Sequence, residues 1–240
     1  MQKIILLFAL IVVNNLSAQQ VTNLILVGPE GVTDDVKKAQ NFIVIKTYPE
    51  HYVRMDYKMS GPLIKLRSYK DSVLKILDGR YFEYRPNGKI LYSGCYNENK
   101  KHDRWFTYDD TGKVIISQRF ENDILAETEN LDKKDSTVDY DDDREAEFRG
   151  GMKSWINYLT KSLEKSEVIN NTNGGQVIIN FTVDIDGEIK DSYIVKSVDY
   201  GLDENSLEII NKSPKWKPAW SNGKAMKAYR KQPITYAPSQ

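Results

Sequence analysis

Side chains able to do acid–base, nucleophilic or metal chemistry are few in this 240-residue chain: two histidines, His51 and His102, and one cysteine, Cys95. Nucleophilic catalysis needs a nucleophile with a base in reach and a third group to orient it, and no motif brings such a set together. Asp139-Tyr-Asp-Asp-Asp143 has the carboxylate density of a calcium loop, but the Gly and Glu that such a loop needs at its sixth and twelfth positions are replaced by Arg144 and Gly150. Asp184-Ile-Asp-Gly187 lies between two alternating apolar runs, so Asp186-Gly187 is expected to be a hairpin turn. With no glycine-rich phosphate loop either, the sequence predicts no catalytic residues, no metal, no cofactor and no small-molecule substrate. The chain is expected not to be an enzyme.

Formal net charge is zero, which gives no general pull toward nucleic acid or an anionic membrane. Its distribution is uneven. Residues 121–147 hold twelve Asp/Glu against Lys133, Lys134 and Arg144, whereas seven Lys/Arg and no acid follow Glu208. The first stretch has few aromatics and no period, as expected of a solvated linker. A single cysteine cannot close an internal disulfide, so the fold must stand on packing.

At the N-terminus, Lys3, the apolar run Ile4 to Val13 and Asn14-Asn-Leu-Ser-Ala18 have the form of an export signal over residues 1–18. Ten apolar residues rise only about 15 Å as a helix, half of a bilayer core. The expected location is exported and periplasmic, with an inner-membrane tether if the segment is kept.

Between residues 19 and 120 the chain repeats itself at an offset of 24. Tyr81 lies over Trp105, Phe82 over Phe106, Tyr84 over Tyr108, Gly88 over Gly112, Lys89 over Lys113 and Tyr96 over Phe120. Each unit is an aromatic strand, an Asn-Gly or Thr-Gly turn and an apolar strand, which predicts stacked hairpins with the aromatics in a narrow core. The units resemble MORN-like repeats, with Asp78-Gly-Arg-Tyr-Phe-Glu-Tyr84 in place of the usual Gly-x-Trp-x-x-Tyr.

Residues 148–240 read as helix, strand, strand, helix, strand. Met152, Trp155, Ile156, Leu159 and Leu163 form a helical stripe, and Val177, Ile179, Phe181, Val183 and Ile185 alternate as a half-buried strand. Ile189 to Val198 returns antiparallel, Asp203 is placed to cap the second helix, and Lys227 to Tyr236 supplies the last strand. This order makes an α+β domain with two helices on a three-stranded antiparallel sheet. Trp216, between Pro214 and Pro218, is expected to be a core anchor.

The local motifs of this domain resemble the C-terminal domain of TonB-family proteins in the form seen in Bacteroidetes-type bacteria. Phe148-Arg-Gly-Gly151 stands for the family's Phe-Pro-Gly-Gly, and Gly175-Gln-Val177, Val183-Asp-Ile-Asp-Gly187, Leu202-Asp-Glu204, Pro214-Lys-Trp-Lys-Pro218, Asn222-Gly-Lys224 and Pro233-Ile-Thr-Tyr236 follow in order. The family's Tyr-Pro after the first helix is missing, and its Pro-Val after Asn-Gly-Lys is Ala225-Met226. The resemblance implies a domain that binds envelope partners, such as outer-membrane transporters, by adding an extended partner segment to its last strand. The matching positions are Lys227, Ala228, Tyr229, Arg230, Lys231, Gln232 and Ile234, with Lys227, Arg230 and Lys231 favouring an acidic partner. Membrane contact would then run through the partner, and a homo-oligomer stays open. Energy-coupled transport is implied more weakly, because the family's anchor histidine and proline-rich reach have no counterpart: His51 is the first histidine and Pro86 the only proline between Pro62 and Pro214. The alternative is an envelope adaptor that binds proteins or peptidoglycan without energy coupling.

Overall fold

A computed structural model of the chain describes residues 21–131, 145–170, 172–221 and 223–239. The expected export segment and the middle of the acidic stretch, residues 132–144, lie outside the described residues. Among the described residues no helix is long and apolar enough to cross a membrane.

The N-terminal half is one antiparallel sheet of ten strands: β1 (Val21–Gly28), β2 (Gly31–Thr33), β3 (Asn41–Thr47), β4 (Tyr52–Lys58), β5 (Leu63–Tyr69), β6 (Leu77–Tyr84), β7 (Ile90–Asn97), β8 (Lys100–Tyr108), β9 (Val114–Glu121) and β10 (Ile124–Asn130). From β3 to β10 each strand pairs with the next in sequence, and β1 sits between β3 and β2. The expected hairpin repeats are therefore consecutive members of one long meander. Its turns bear out the period: Arg85 N–H donates to Lys89 O at 2.7 Å and Asp109 N–H to Lys113 O at 2.9 Å, with Gly88 and Gly112 at φ 78° and 90°. Each is a three-residue loop ending in a left-handed glycine, rather than the two-residue turn that Asn-Gly alone suggests.

The expected linker starts too early at residue 121, because Ile124–Asn130 forms β10 and pairs with β9. This strand is exposed on both faces and carries Glu127 and Glu129, so it lacks the apolar alternation that marks a half-buried strand. The aromatics do not share one narrow core either. Phe82 and Tyr84 face the C-terminal half, while Trp105 is buried on the opposite face among Tyr81, Tyr92, Tyr96 and Phe120, with Lys101 Nζ 4.6 Å from its ring centroid.

The C-terminal half comprises α1 (Gly151–Glu164), a 3₁₀ turn (Glu167–Asn170), β11 (Gly175–Val183), β12 (Ile189–Lys196), α2 (Tyr200–Asn211), β13 (Ala219–Ser221), β14 (Lys224–Met226) and β15 (Ala228–Tyr236). Its main sheet is three-stranded and antiparallel, as the sequence predicts, in the order β12-β11-β15, and β13–β14 is a separate hairpin. Val177, Ile179, Phe181 and Val183 are buried, and Trp216 packs on Phe148, Trp155 and Phe181. Three expectations need correction. Ile185 is exposed in the turn, and Met152 and Ile156 are exposed on α1, whose inward residues are Trp155, Tyr158, Leu159 and Leu163. The cap of α2 is Asp199, which accepts from Leu202 N–H at 2.9 Å.

Asp203 instead ties the two halves together. It is fully buried, and its carboxylate accepts from Ser197 Oγ at 2.6 Å, Tyr57 OH at 3.1 Å and Val198 N–H at 3.1 Å. Ser197 Oγ in turn accepts from Leu63 N–H at 2.7 Å. Beside this node Lys46 pairs with Glu204, and Val44, Met55, Tyr57, Leu63, Phe82, Tyr84 and Ile90 share one apolar core with β11, β12 and α2.

Gly88 and Gly112 occupy equivalent turns, but only Gly88 meets the other half. A Cβ at Gly88 would lie 2.0 Å from Ser197 O, whereas at Gly112 nothing lies within 4 Å. Gly112→Ala should cost about 1 kcal/mol, the strain of a positive φ, and Gly88→Ala at least about twice that, because backbone must shift. Equal losses in urea unfolding would show that the seam does not depend on this contact. A second expectation concerns pH. Burial pushes the Asp203 carboxyl up to about 7, from an ordinary 3.8. The folded state then holds the proton more tightly than the unfolded one, so stability present below pH 4 is lost as pH rises through 7. The melting temperature of the wild type should fall between about pH 5 and pH 8, and Asp203→Asn should flatten that fall. Parallel curves for the two proteins would exclude Asp203 as the cause.

Candidate interaction edge

The C-terminal sheet has three strands and hence two outer edges, on β12 and β15. An open edge offers unpaired N–H and C=O groups to any extended chain. The β12 edge is covered. Tyr84 OH donates to Ile194 O at 2.8 Å, Arg80 reaches Ser192 O at 3.4 Å and Asp191 at 2.7 Å, and Ser197 N–H donates to Gly88 O at 2.9 Å. Lys89 and Lys196 form a further isolated bridge. All of these covering groups come from the hairpin of β6 and β7.

Along β15 the arrangement differs. It pairs with β11 from Val183↔Ala228 to Gly175↔Tyr236 without a register shift, and among the described residues no other backbone group bonds to it. Pro233 lies within the strand opposite Ile178. A proline is tolerated in a strand where its nitrogen faces away from the neighbour, since there it removes no ladder bond. By the two-residue period, Tyr229, Lys231 and Thr235 then also turn their N–H and C=O outward. Their side chains lie on the exposed face, while Arg230, Gln232 and Ile234 lie on the helix face.

The residues expected at the edge therefore divide. Ile234 is core, and Gln232 Oε1 accepts from Trp155 Nε1 at 2.7 Å, holding α1 to the strand. Arg230 turns inward, where its guanidinium pairs with Glu145 and donates to Ala146 O. Lys227 precedes the strand and sits 3.7 Å from Asp184. Ala228 is half-buried, and Tyr229 and Lys231 are exposed. The acid-attracting cluster expected of Lys227, Arg230 and Lys231 is thus largely engaged within the chain. Sequence reasoning missed the hairpin beside the edge, where Trp220 and Met226 are exposed together with Tyr229. An Ala-Trp run ahead of Asn-Gly was the available signal.

Residues 166–238 match the family model of the Gram-negative bacterial TonB protein C-terminal. This TonB-like stretch spans β11 to β15 and α2 but starts after α1, so it supports a narrower region than Phe148 to Tyr236 and is under a third of the chain. Neither the curated proteins nor the solved structures gave a match. TonB-family C-terminal domains are protein-interaction domains of the cell envelope.

The chemically competent side chains stay apart from this edge. His51 stacks on Tyr48 with ring centroids 4.5 Å apart. His102 lies in β8 opposite Cys95 of β7, and the turn between these strands falls at Glu98 and Asn99. Burial pushes the Cys95 thiol up, away from the thiolate that a nucleophile requires. Among the described residues no three His, Cys, Asp or Glu side chains could hold a metal ion. A cleft of about 1080 Å³ opens between β3–β6 and α2, where Lys46 is paired with Glu204 and Lys212 with Glu208.

The two neighbouring cations of β15 should behave differently on truncation. Arg230→Ala removes hydrogen bonds that hold residues 145–146 and should lower stability by about 1 kcal/mol, a figure already reduced for partial exposure. Lys231→Ala should stay within about 0.5 kcal/mol of the wild type in urea unfolding. The reverse order would show that Arg230, not Lys231, is the free cation.

Proposed function

We propose that this chain is an envelope protein that captures an extended segment of a partner, such as an outer-membrane transporter, as a fourth strand on β15. The observation that carries this reading is the asymmetry of the C-terminal sheet: β12 is covered by the N-terminal meander, and β15 is left open among the described residues, with outward-facing backbone at Tyr229, Lys231 and Thr235. Main-chain hydrogen bonds would supply affinity without demanding a particular partner sequence. The TonB-like match over residues 166–238 supports the same use and extends it to a part in energy-coupled transport across the envelope. The N-terminal meander then serves as a rigid platform for the binding domain, in a periplasmic location.

The test is titration of the full chain with peptides from the N-terminal segments of outer-membrane transporters. Binding in the micromolar range is expected, and Lys231→Pro should abolish it by removing an outward N–H, while Lys231→Ala binds as the wild type does. Because the altered nitrogen makes no ladder bond, Lys231→Pro should keep the wild-type circular dichroism. No binding at high micromolar peptide, or equal binding by Lys231→Pro, would sink strand addition.

A further inference from the structure

The strand-addition reading leaves open what distinguishes one partner segment from another, since backbone bonding is blind to side chains. We infer that the partner strand is selected by a bulky apolar side chain seated in a pocket at the start of β15, and not by acidic residues. This rests on the reading of β15 as the binding edge.

The pocket has a volume of about 230 Å³ and lies between Glu145, the β13–β14 hairpin and the first residues of β15. Ala219, Met226 and Ala228 contribute apolar lining, together with Trp220 and Tyr229. Large apolar groups are concentrated here: Trp220 is 40% exposed, Met226 49% and Tyr229 87%. Exposed apolar side chains gathered around a pocket beside an open edge are a place where a partner loses water. The remaining exposed residues of the outer strand face, Lys231, Pro233 and Thr235, offer no comparable apolar surface.

Charge argues against the alternative. Lys227 is 3.7 Å from Asp184, and Arg230 pairs with Glu145 and turns away from the edge, so two of the three cations expected at the edge already have acids of their own. Lys227, Arg230 and Glu145 also line the pocket, and each cation there already has an acid, Arg230 in Glu145 and Lys227 in Asp184. Only Lys231 remains on the edge for an acidic partner, and one exposed cation contributes little selectivity. The occupant with the fitting chemistry is therefore an extended peptide that presents one leucine, methionine or phenylalanine near Tyr229 and Met226, with small polar residues on either side.

A host peptide of eight Ser and Thr residues, in which Leu, Ser or Asp occupies each position in turn, tests this on the full chain. One register should give a Leu peptide that binds about tenfold or more tighter than its Ser and Asp counterparts, the effect of burying one aliphatic side chain. Raising salt from 50 mM to 500 mM should change its affinity less than about twofold, because no ion pair is formed. Met226→Ser, at an exposed position outside β15, should remove the Leu advantage and leave the Ser peptide's affinity as it was. An Asp peptide that binds tightest with a steep salt dependence, or Leu and Ser peptides that bind alike at every position, would overturn the pocket while leaving strand addition intact. If no peptide of the set binds, but transporter-derived segments do, the pocket as drawn is also overturned. If neither kind binds, strand addition itself has failed.

Discussion

Ser197 and Asp203 hold the geometry on which the remaining structure depends. A buried carboxylate is tolerable only when its lone pairs are met by donors or a cation, and among the described residues Asp203 makes no ion pair. Its donors are Ser197 and Val198 from the end of β12 and Tyr57 from β4, and Leu63 of β5 fixes the Ser197 hydroxyl. The position of α2 is therefore tied to β4 and β5. The surrounding contacts depend on that placement, including the Lys46–Glu204 pair and the packing of Tyr57 and Phe42 on Tyr200. What joins the two halves is this seam, whatever the chain does between residues 131 and 145.

The seam also decides which edge of the C-terminal sheet a partner can reach. A three-stranded sheet is symmetric in principle, since both outer strands expose backbone groups. Docking the meander brings Arg80, Tyr84 and Gly88 against Ser192, Ile194 and Ser197 and so uses the β12 edge. No equivalent element lies along β15 among the described residues. On the proposed strand-addition reading, the N-terminal sheet thus acts on binding without touching the partner.

Much of the C-terminal half was legible because its signals are local. Alternation from Val177 to Val183, the Asp186-Gly187 turn and the strand after Lys227 are each encoded within a few residues, and the β11–β12 pairing follows from the short turn between them. The seam was not legible, since Leu63 and Ser197 are 134 positions apart and neither is unusual where it stands. The same cause misassigned Asp203. Asp199 and Asp203 are both suitable caps by composition, and only the approach of Tyr57 shows that Asp203 serves another role. Strand β10 was hidden for a different reason: an edge strand guarded by charge has the composition of a linker. At the candidate edge the strand was legible but the directions of its side chains were not, because the period that sends Lys231 outward sends Arg230 toward Glu145.

An edge that stays open to a partner must also avoid pairing with its own copies. Pro233 breaks the outward row of donors at one end, and Lys231 sets a charge in the middle, so two β15 strands meeting antiparallel would face missing bonds and like charges. Those features make the backbone alone a weak attractant, and a partner must add something a second copy lacks. A pocket at one end of the strand can supply that, because it breaks the near-equivalence of registers two residues apart and rewards one alignment of the incoming segment. Guarding the edge and selecting its partner are then two consequences of the same arrangement: a backbone row made poor along most of its length, with the apolar surface gathered at the end nearest β13 and β14.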